Sequence, residues 1–250
     1  MRKKKLSVNK SQIIKDLVDD NVSLERSLTR LYVLVKGLNN EELSAWINCE
    51  LHGYDNNTPL PDYRKTKNTL LKYSGINGGF QVTNNNFSID VFGKELSEKL
   101  KTISFVHGIR FAEELAQEES TSRDLSELAD IIYEKTDEQV MCSSIRQIIP
   151  RQFYMTICSV VKGKILDAFL QLEQEYSNLD EYGVGVSNQN PLHLQKINAE
   201  LNHLILNIEP SKGTEQKWYE KVAWNIIVPI ITGVLGGIIT VVVQKFLGLL

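Results

Sequence analysis

The chain is short of reactive chemistry. Its three cysteines (Cys49, Cys142, Cys158) are odd in number and widely spaced, with no C-x-x-C pair. That excludes a disulfide framework and a thiolate metal knuckle, and it predicts buried thiols in a reducing compartment. Its four histidines (His52, His107, His193, His203) include no H-E-x-x-H spacing. No G-x-x-x-x-G-K-[ST] phosphate loop is present, and no G-x-S-x-G elbow. Gly75–Gly79 reads as a turn, and Cys142 has no evident base beside it. The acidic pairs Asp19-Asp20 and Glu113-Glu114 fall on solvated helix faces. The expectation is a non-enzymatic protein that needs no cofactor and no metal. A net charge of −3 also excludes a global basic field for nucleic acid.

A further absence is local. Between Lys221 and Lys245 there is no charged side chain for 23 residues. As a helix that run would extend about 34 Å, enough for a bilayer core of about 30 Å. Trp218, Tyr219 and Trp224 stand at its start, where amphipathic rings favour the membrane interface. Lysines flank both ends. Inside the run, Gly233, Gly236, Gly237 and Thr240 form a small-residue surface that lets helices approach closely in lipid. A single span has to find its partner in another chain, so a homo-oligomer is expected, with a tetramer as the working order. Pro229 frees a backbone carbonyl near the entry and can kink the helix there. The basic start MRKKKLSVNK lacks an apolar core, so a secretory signal is not expected. The predicted arrangement is a single-pass membrane anchor with the N-terminal domain cytoplasmic.

Along the rest of the chain, residues 11–38 read as a helix broken near Asp20–Ser23. Glu41–Tyr54 reads as a second helix with Asn40 as its N-cap. Tyr63–Ser74 has strand character, and short strands are expected around Phe80–Thr83 and Phe87–Val91. Gly93–Lys101 is predicted helical and Thr102–His107 a strand. Ile109–Glu119 and Leu125–Glu134 are predicted helical. Pro150 opens a long helix, Arg151–Tyr176, with one apolar face. Residues 177–191 read as a linker. Leu194, Ile197, Leu201, Leu204 and Ile208 then make two heptads, placed where an oligomerisation stalk would lie. The predicted fold class is α+β: a mostly helical soluble domain with a small antiparallel sheet, plus one C-terminal transmembrane helix. The predicted domains are residues 1–180, a linker and oligomerisation helix over 181–214, and an anchor or pore helix over 215–250.

Two clusters of cations among rings suggest a ligand site. Arg64, Lys65, Lys67 and Lys72 lie with Tyr63 and Tyr73, and in a strand Lys65 and Lys67 would share a face. Arg146 and Arg151 lie with Phe153 and Tyr154. Such mixtures suit phosphates and single-stranded bases; ordinary solvated charge is the alternative for both.

Glu42–Lys65, ELSAWINCELHGYDNNTPLPDYRK, resembles the signature of the AbiTii domain, a family named from bacterial abortive-infection loci. Its pattern is W-I-x-x-E-L-x-G-Y, a loop, then P-D-Y-R. Here these are Trp46, Ile47, Glu50, Leu51, Gly53 and Tyr54, then Pro61, Asp62, Tyr63 and Arg64. The resemblance covers roughly residues 6–180. It implies antiphage defence by abortive infection, with the anchor in the bacterial inner membrane. Relatives of the Hailong type pair a membrane effector with a nucleotidyltransferase whose nucleotide or single-stranded DNA oligomer controls a channel-like subunit. A passive, membrane-anchored binding or scaffold module without a pore is the alternative. The residues themselves suggest a buried Glu50–Arg64 ion pair, or else a ligand pocket holding both, with Gly53 ending the helix in a left-handed conformation.

Overall fold

Ser23 and Asn40 set the start of the fold, because each gives a helix its first turn. In the computed structural model, residues 10–176, 179–180 and 191–207 are described. Helix α1 spans Gln12–Val18 and α2 spans Leu24–Gly37. They are separated at the expected break, where Asp20 takes a positive φ of 56°. Ser23 Oγ accepts from the Arg26 N–H at 3.2 Å to cap α2. Asn40 Oδ1 accepts from the Leu43 N–H at 3.0 Å to cap α3, Glu41–His52. These side chains replace carbonyl partners that a first helical turn lacks.

A 3-10 turn at Asp62–Arg64 leads into β1, Lys65–Thr66, which pairs antiparallel with β4, Ile103–Ser104. The chain then forms β2 (Leu70–Asn77) and β3 (Phe80–Phe87). Helix α4, Gly93–Lys101, precedes β4. After α5 (Ile109–Leu115) come β5 (Ser120–Asp124), α6 (Ala129–Lys135) and β6 (Val140–Pro150). Strand β6 runs straight into α7, Arg151–Glu175, at Pro150, whose φ of −70° suits both sides of the junction. Helix α8, Pro191–Leu206, is the last described element.

The main sheet is antiparallel in the order β3-β2-β6-β5. One face carries Leu71, Tyr73, Val140 and Ile145 into a small core with Phe92, Leu100, Leu125 and Ile132. The larger core belongs to the helices. Leu28, Leu31 and Val35 of α2, Leu43 and Ile47 of α3, and Ile157, Val161, Ile165 and Phe169 of α7 all lie within it, fully buried. Strand β6 joins the two cores, with Ile145 in the small one and Ile149 in the large one. Between them the buried Gln147 amide donates to Leu100 O (2.6 Å) and Thr69 Oγ1 (3.0 Å).

Several expectations need correction. The strand predicted over Tyr63–Ser74 is a 3-10 turn, two strand residues and a break before β2. The turn expected at Gly75–Gly79 shrinks to Gly78-Gly79, because β2 runs on to Asn77. Phe80–Phe87 is one strand, and Ile89–Phe92 is a 3-10 turn. Strands β5 and β6 were not expected. The three cysteines are half-buried, and none forms a disulfide. Of the apolar stripe assigned to an oligomerisation stalk, Ile197 and Leu201 are buried in the helical core beside Ile205 and Leu194 packs against it, while Leu204 is exposed and Ile208 lies outside the described residues. Asn198 donates to Leu38 O at 3.0 Å, and Asn40 donates to Asn202 Oδ1 at 2.9 Å, which ties α8 to the corner between α2 and α3.

Among the described residues no helix is long and apolar enough to cross a membrane. The segment expected to do so, with Gly233, Gly236, Gly237 and Thr240, lies outside the described residues, as does most of the expected linker. Leu179 and Asp180 of that linker are described. Leu179 is buried, and the Asp180 carboxylate accepts from the Gln12 and Ile13 N–H groups.

Candidate functional site

The stretch with the most specific sequence pattern folds into a buried polar knot. Glu50 projects from the last turn of α3, and Arg64 ends the 3-10 turn that follows the loop. Both side chains have 0% exposure, and Arg64 Nη2 stands 2.5 Å from Glu50 Oε2. Arg64 Nε donates to Glu50 Oε1 at 3.2 Å, which makes the pair bidentate. The hydroxyls of Tyr54 (2.6 Å) and Tyr63 (2.5 Å) also donate to Glu50 Oε1. Trp46 Nε1 donates to the Tyr63 hydroxyl at 3.2 Å. The remaining guanidinium nitrogen, Nη1, donates to the carbonyls of His107 (2.7 Å) and Phe105 (3.3 Å). The guanidinium carbon lies 4.9 Å from the centre of the Tyr54 ring and 5.7 Å from that of Phe105. A charge buried this deeply stays charged because its partners surround it.

The electrostatics agree with this geometry. Burial and the adjacent Glu50 carboxylate push both the Tyr54 and the Tyr63 hydroxyl far above the ordinary range. For Arg64, burial pulls downward, but the hydrogen bonds and charge of Glu50 outweigh it and the guanidinium is held protonated.

The backbone completes the knot. The Tyr54 N–H donates to Val106 O at 2.7 Å, and the Phe105 N–H donates to Arg64 O at 2.8 Å. Gly53 caps α3 at φ 100°, where a Cβ would lie 2.6 Å from Val106 O. A Cβ on Gly108 would lie 2.3 Å from Leu51 O. The loop 105–108 therefore packs directly against the end of α3, and glycine is required on both sides of the contact. Of the two meanings the sequence allowed for Glu50 and Arg64, the structural pair is the one formed.

The family model named AbiTii matches residues 11–191. The chain belongs to the AbiTii family. The match ends at the start of α8 and includes every described strand, the small core, the knot and all of the helical core except what α8 adds to it. The family name points to abortive-infection antiphage defence. No curated protein and no solved structure matches the sequence.

Within this AbiTii domain the nominated ligand residues do not converge. Arg64 is sealed in the knot, and Tyr63 is half-buried with its hydroxyl on Glu50. Arg151 donates through Nε to Ala116 O at 2.6 Å, holding the C-terminal end of α5. Phe153 and Tyr154, its expected neighbours in a site, are core residues. Lys65 pairs with Asp62 at 3.2 Å, and Lys67 is exposed in the break before β2. Lys72 and Arg146 do come together. They are directly opposed on β2 and β6, with Asn86 of β3 and Asp124 of β5 in the same row across the sheet. That row lies on the face opposite the small core, with Leu70 and Ile148 beside it. No sequence pattern signalled this pairing, because it depends on the unexpected strand β6.

The described surface also holds a shallow concavity of about 330 Å³ between α1 and α2, lined by Asp16, Arg26, Arg30 and Asp180. Its charges are mixed, and Arg30 already donates to the carbonyls of Leu179 and Asp180. Among the described residues no three His, Cys, Asp or Glu side chains gather as a metal cluster would require.

Proposed function

We propose that this AbiTii protein is a membrane effector of abortive infection. The observation that carries the reading is the order of parts in one chain: a domain of this family over residues 11–191, then 23 residues without a charge. The tail anchors the protein in the inner membrane as a single span, and copies meet through Gly233, Gly236, Gly237 and Thr240. A nucleotide or single-stranded DNA oligomer, made by a partner nucleotidyltransferase, binds the domain and changes how the tails pack. The altered packing opens a channel and stops the infected cell. Such a signal shifts the assembly only by as much as its affinity differs between the two packings. Lys72 and Arg146 on the open sheet face, with Lys65 and Lys67, are the proposed phosphate contacts; Arg151, although exposed, is committed to Ala116 O.

The test follows membrane potential during phage infection, in cells carrying the chain with and without its neighbouring gene. Depolarisation dependent on infection is expected, and its loss in Gly236→Leu or Gly237→Leu with insertion retained. An unchanged potential under every condition overturns the channel. Full protection after exchange of the tail for an unrelated apolar helix assigns the chain instead to the anchored-module class.

A further inference from the structure

Strand β3 is an edge of the four-stranded sheet, and its outer side carries no strand among the described residues. Its sequence, FQVTNNNF, contains no charged residue and no proline, and six of its eight residues are exposed. The opposite edge, β5, is shorter and ends in Arg123 and Asp124. Charged side chains are the usual protection of an edge against pairing with another chain, so β5 is guarded and β3 is not. The Asn86 N–H bonds the neighbouring Asn85 side chain at 3.2 Å, a local contact that an incoming strand can replace.

The register of β3 makes it complementary to itself. Phe80, Val82, Asn85 and Phe87 stand opposite Asn77, Gly75, Tyr73 and Leu71 of β2. Those β2 positions alternate by two, so the four β3 residues share the face on which Tyr73 and Leu71 are buried. The extra residue at Thr83-Asn84 makes this possible, since without it Phe80 and Phe87 would point to opposite faces. With it the strand reads alike from both ends about its centre.

We propose that β3 pairs antiparallel with β3 of a second copy of this chain, about a two-fold axis between Thr83 and Asn84. The pairing joins two sheets into one. It sets Phe80 of each copy against Phe87 of the other, and Val82 against Asn85. Phe80 is the most exposed large apolar side chain described, at 77%. Phe87 stands 5.3 Å from Tyr73 and 6.2 Å from Phe92, centre to centre. Each exposed Phe80 thus lands on an aromatic cluster that ends at the sheet edge. A neutral strand meets its own copy without like-charge repulsion, and the two-fold closes the contact as a dimer. The pairing does not depend on what the tail does.

The test uses the full chain in mild detergent. Differently tagged copies carrying Val82→Cys and Asn85→Cys are mixed and oxidised. The expected product is the heterodimer, linked 82 to 85 by peptide mapping and exceeding the Val82→Cys self-link by about tenfold or more. Adding Phe80→Glu to both copies, at a site too exposed to matter for folding, is expected to lower that yield by about tenfold. Tails that associate alone give no preference for the 82–85 link. Absence of the link, or its survival at full yield with Phe80→Glu, overturns the proposal.

Discussion

Glu50 and Arg64 are separated by 14 residues of sequence and 2.5 Å of space, with neither side chain exposed. Removing one partner leaves the other as an uncompensated buried charge. Glu50→Ala and Arg64→Ala are each expected to destabilise the domain by about 3–5 kcal/mol. For a domain of about 200 residues that is a fall in Tm of roughly 10 °C. Glu50→Ala also strands the Tyr54 and Tyr63 hydroxyls. Thermal unfolding of the purified chain checks both. A loss below about 1 kcal/mol would mean that the pair is not sealed from water.

Glycine substitutions separate close packing from mere helix chemistry. Gly53→Ala has to move Val106 O and adopt a φ of 100°, so a loss of about 2 kcal/mol or more is expected. Gly163 lies inside α7 with nothing within 4 Å of its added Cβ. Gly163→Ala is expected to stabilise by about 0.5–1 kcal/mol, the ordinary helix-propensity gain. Chemical denaturation of the two variants side by side tests both signs.

The raised tyrosines set an alkaline limit. In the unfolded chain a tyrosine releases its proton near pH 10, while folded Tyr54 and Tyr63 keep theirs well beyond it. Their contribution is fully present below about pH 10 and is lost as pH rises above it, approaching about 1.4 kcal/mol per pH unit for each. The unfolding midpoint should hold below pH 10 and fall steeply above it. Tyr63→Phe should start less stable, by the two hydrogen bonds its hydroxyl makes with Glu50 and Trp46, but show a shallower alkaline slope.

What the sequence revealed follows from range. Asn40 capped α3, and the stripe Tyr154–Leu172 became the buried face of α7, because caps and helical periodicity are decided within a few residues. The W-I-x-x-E-L-x-G-Y pattern identified the family for the same reason. Strand β6 escaped because VMCSSIRQIIP does not alternate cleanly: its inward positions serve two cores, with Gln147 at the seam. With β6 unseen, Arg146 could not be placed beside Lys72. Nor could the sequence show that loop 105–108 receives Arg64, since only the folded chain brings the two together.

The stripe on α8 looked like a seam for another chain, yet Leu201 is fully buried in its own domain. Leu201→Ala is therefore expected to cost about 2–5 kcal/mol in the unfolding of the whole domain. A stalk outside the core would leave that transition unchanged. Hydrogen exchange on α3, which α8 touches through Asn40 and Asn202, should rise in parallel.

Lys72 and Arg146 offer the cleanest separation of fold from function. They are like charges directly opposed across two strands, an arrangement that costs a few tenths of a kcal/mol to about 1 kcal/mol. Lys72→Glu turns the repulsion into attraction, so the domain is expected to be as stable as before or slightly more so. If the row binds phosphate, the same change removes one cation and adds an anion, and binding of a single-stranded DNA oligomer by the purified chain should fall at least about tenfold. Arg64→Ala cannot make this distinction, because it weakens the fold along with any binding. A Lys72→Glu protein that stays folded, binds the oligomer as before and still protects cells would remove the open sheet face from the ligand site.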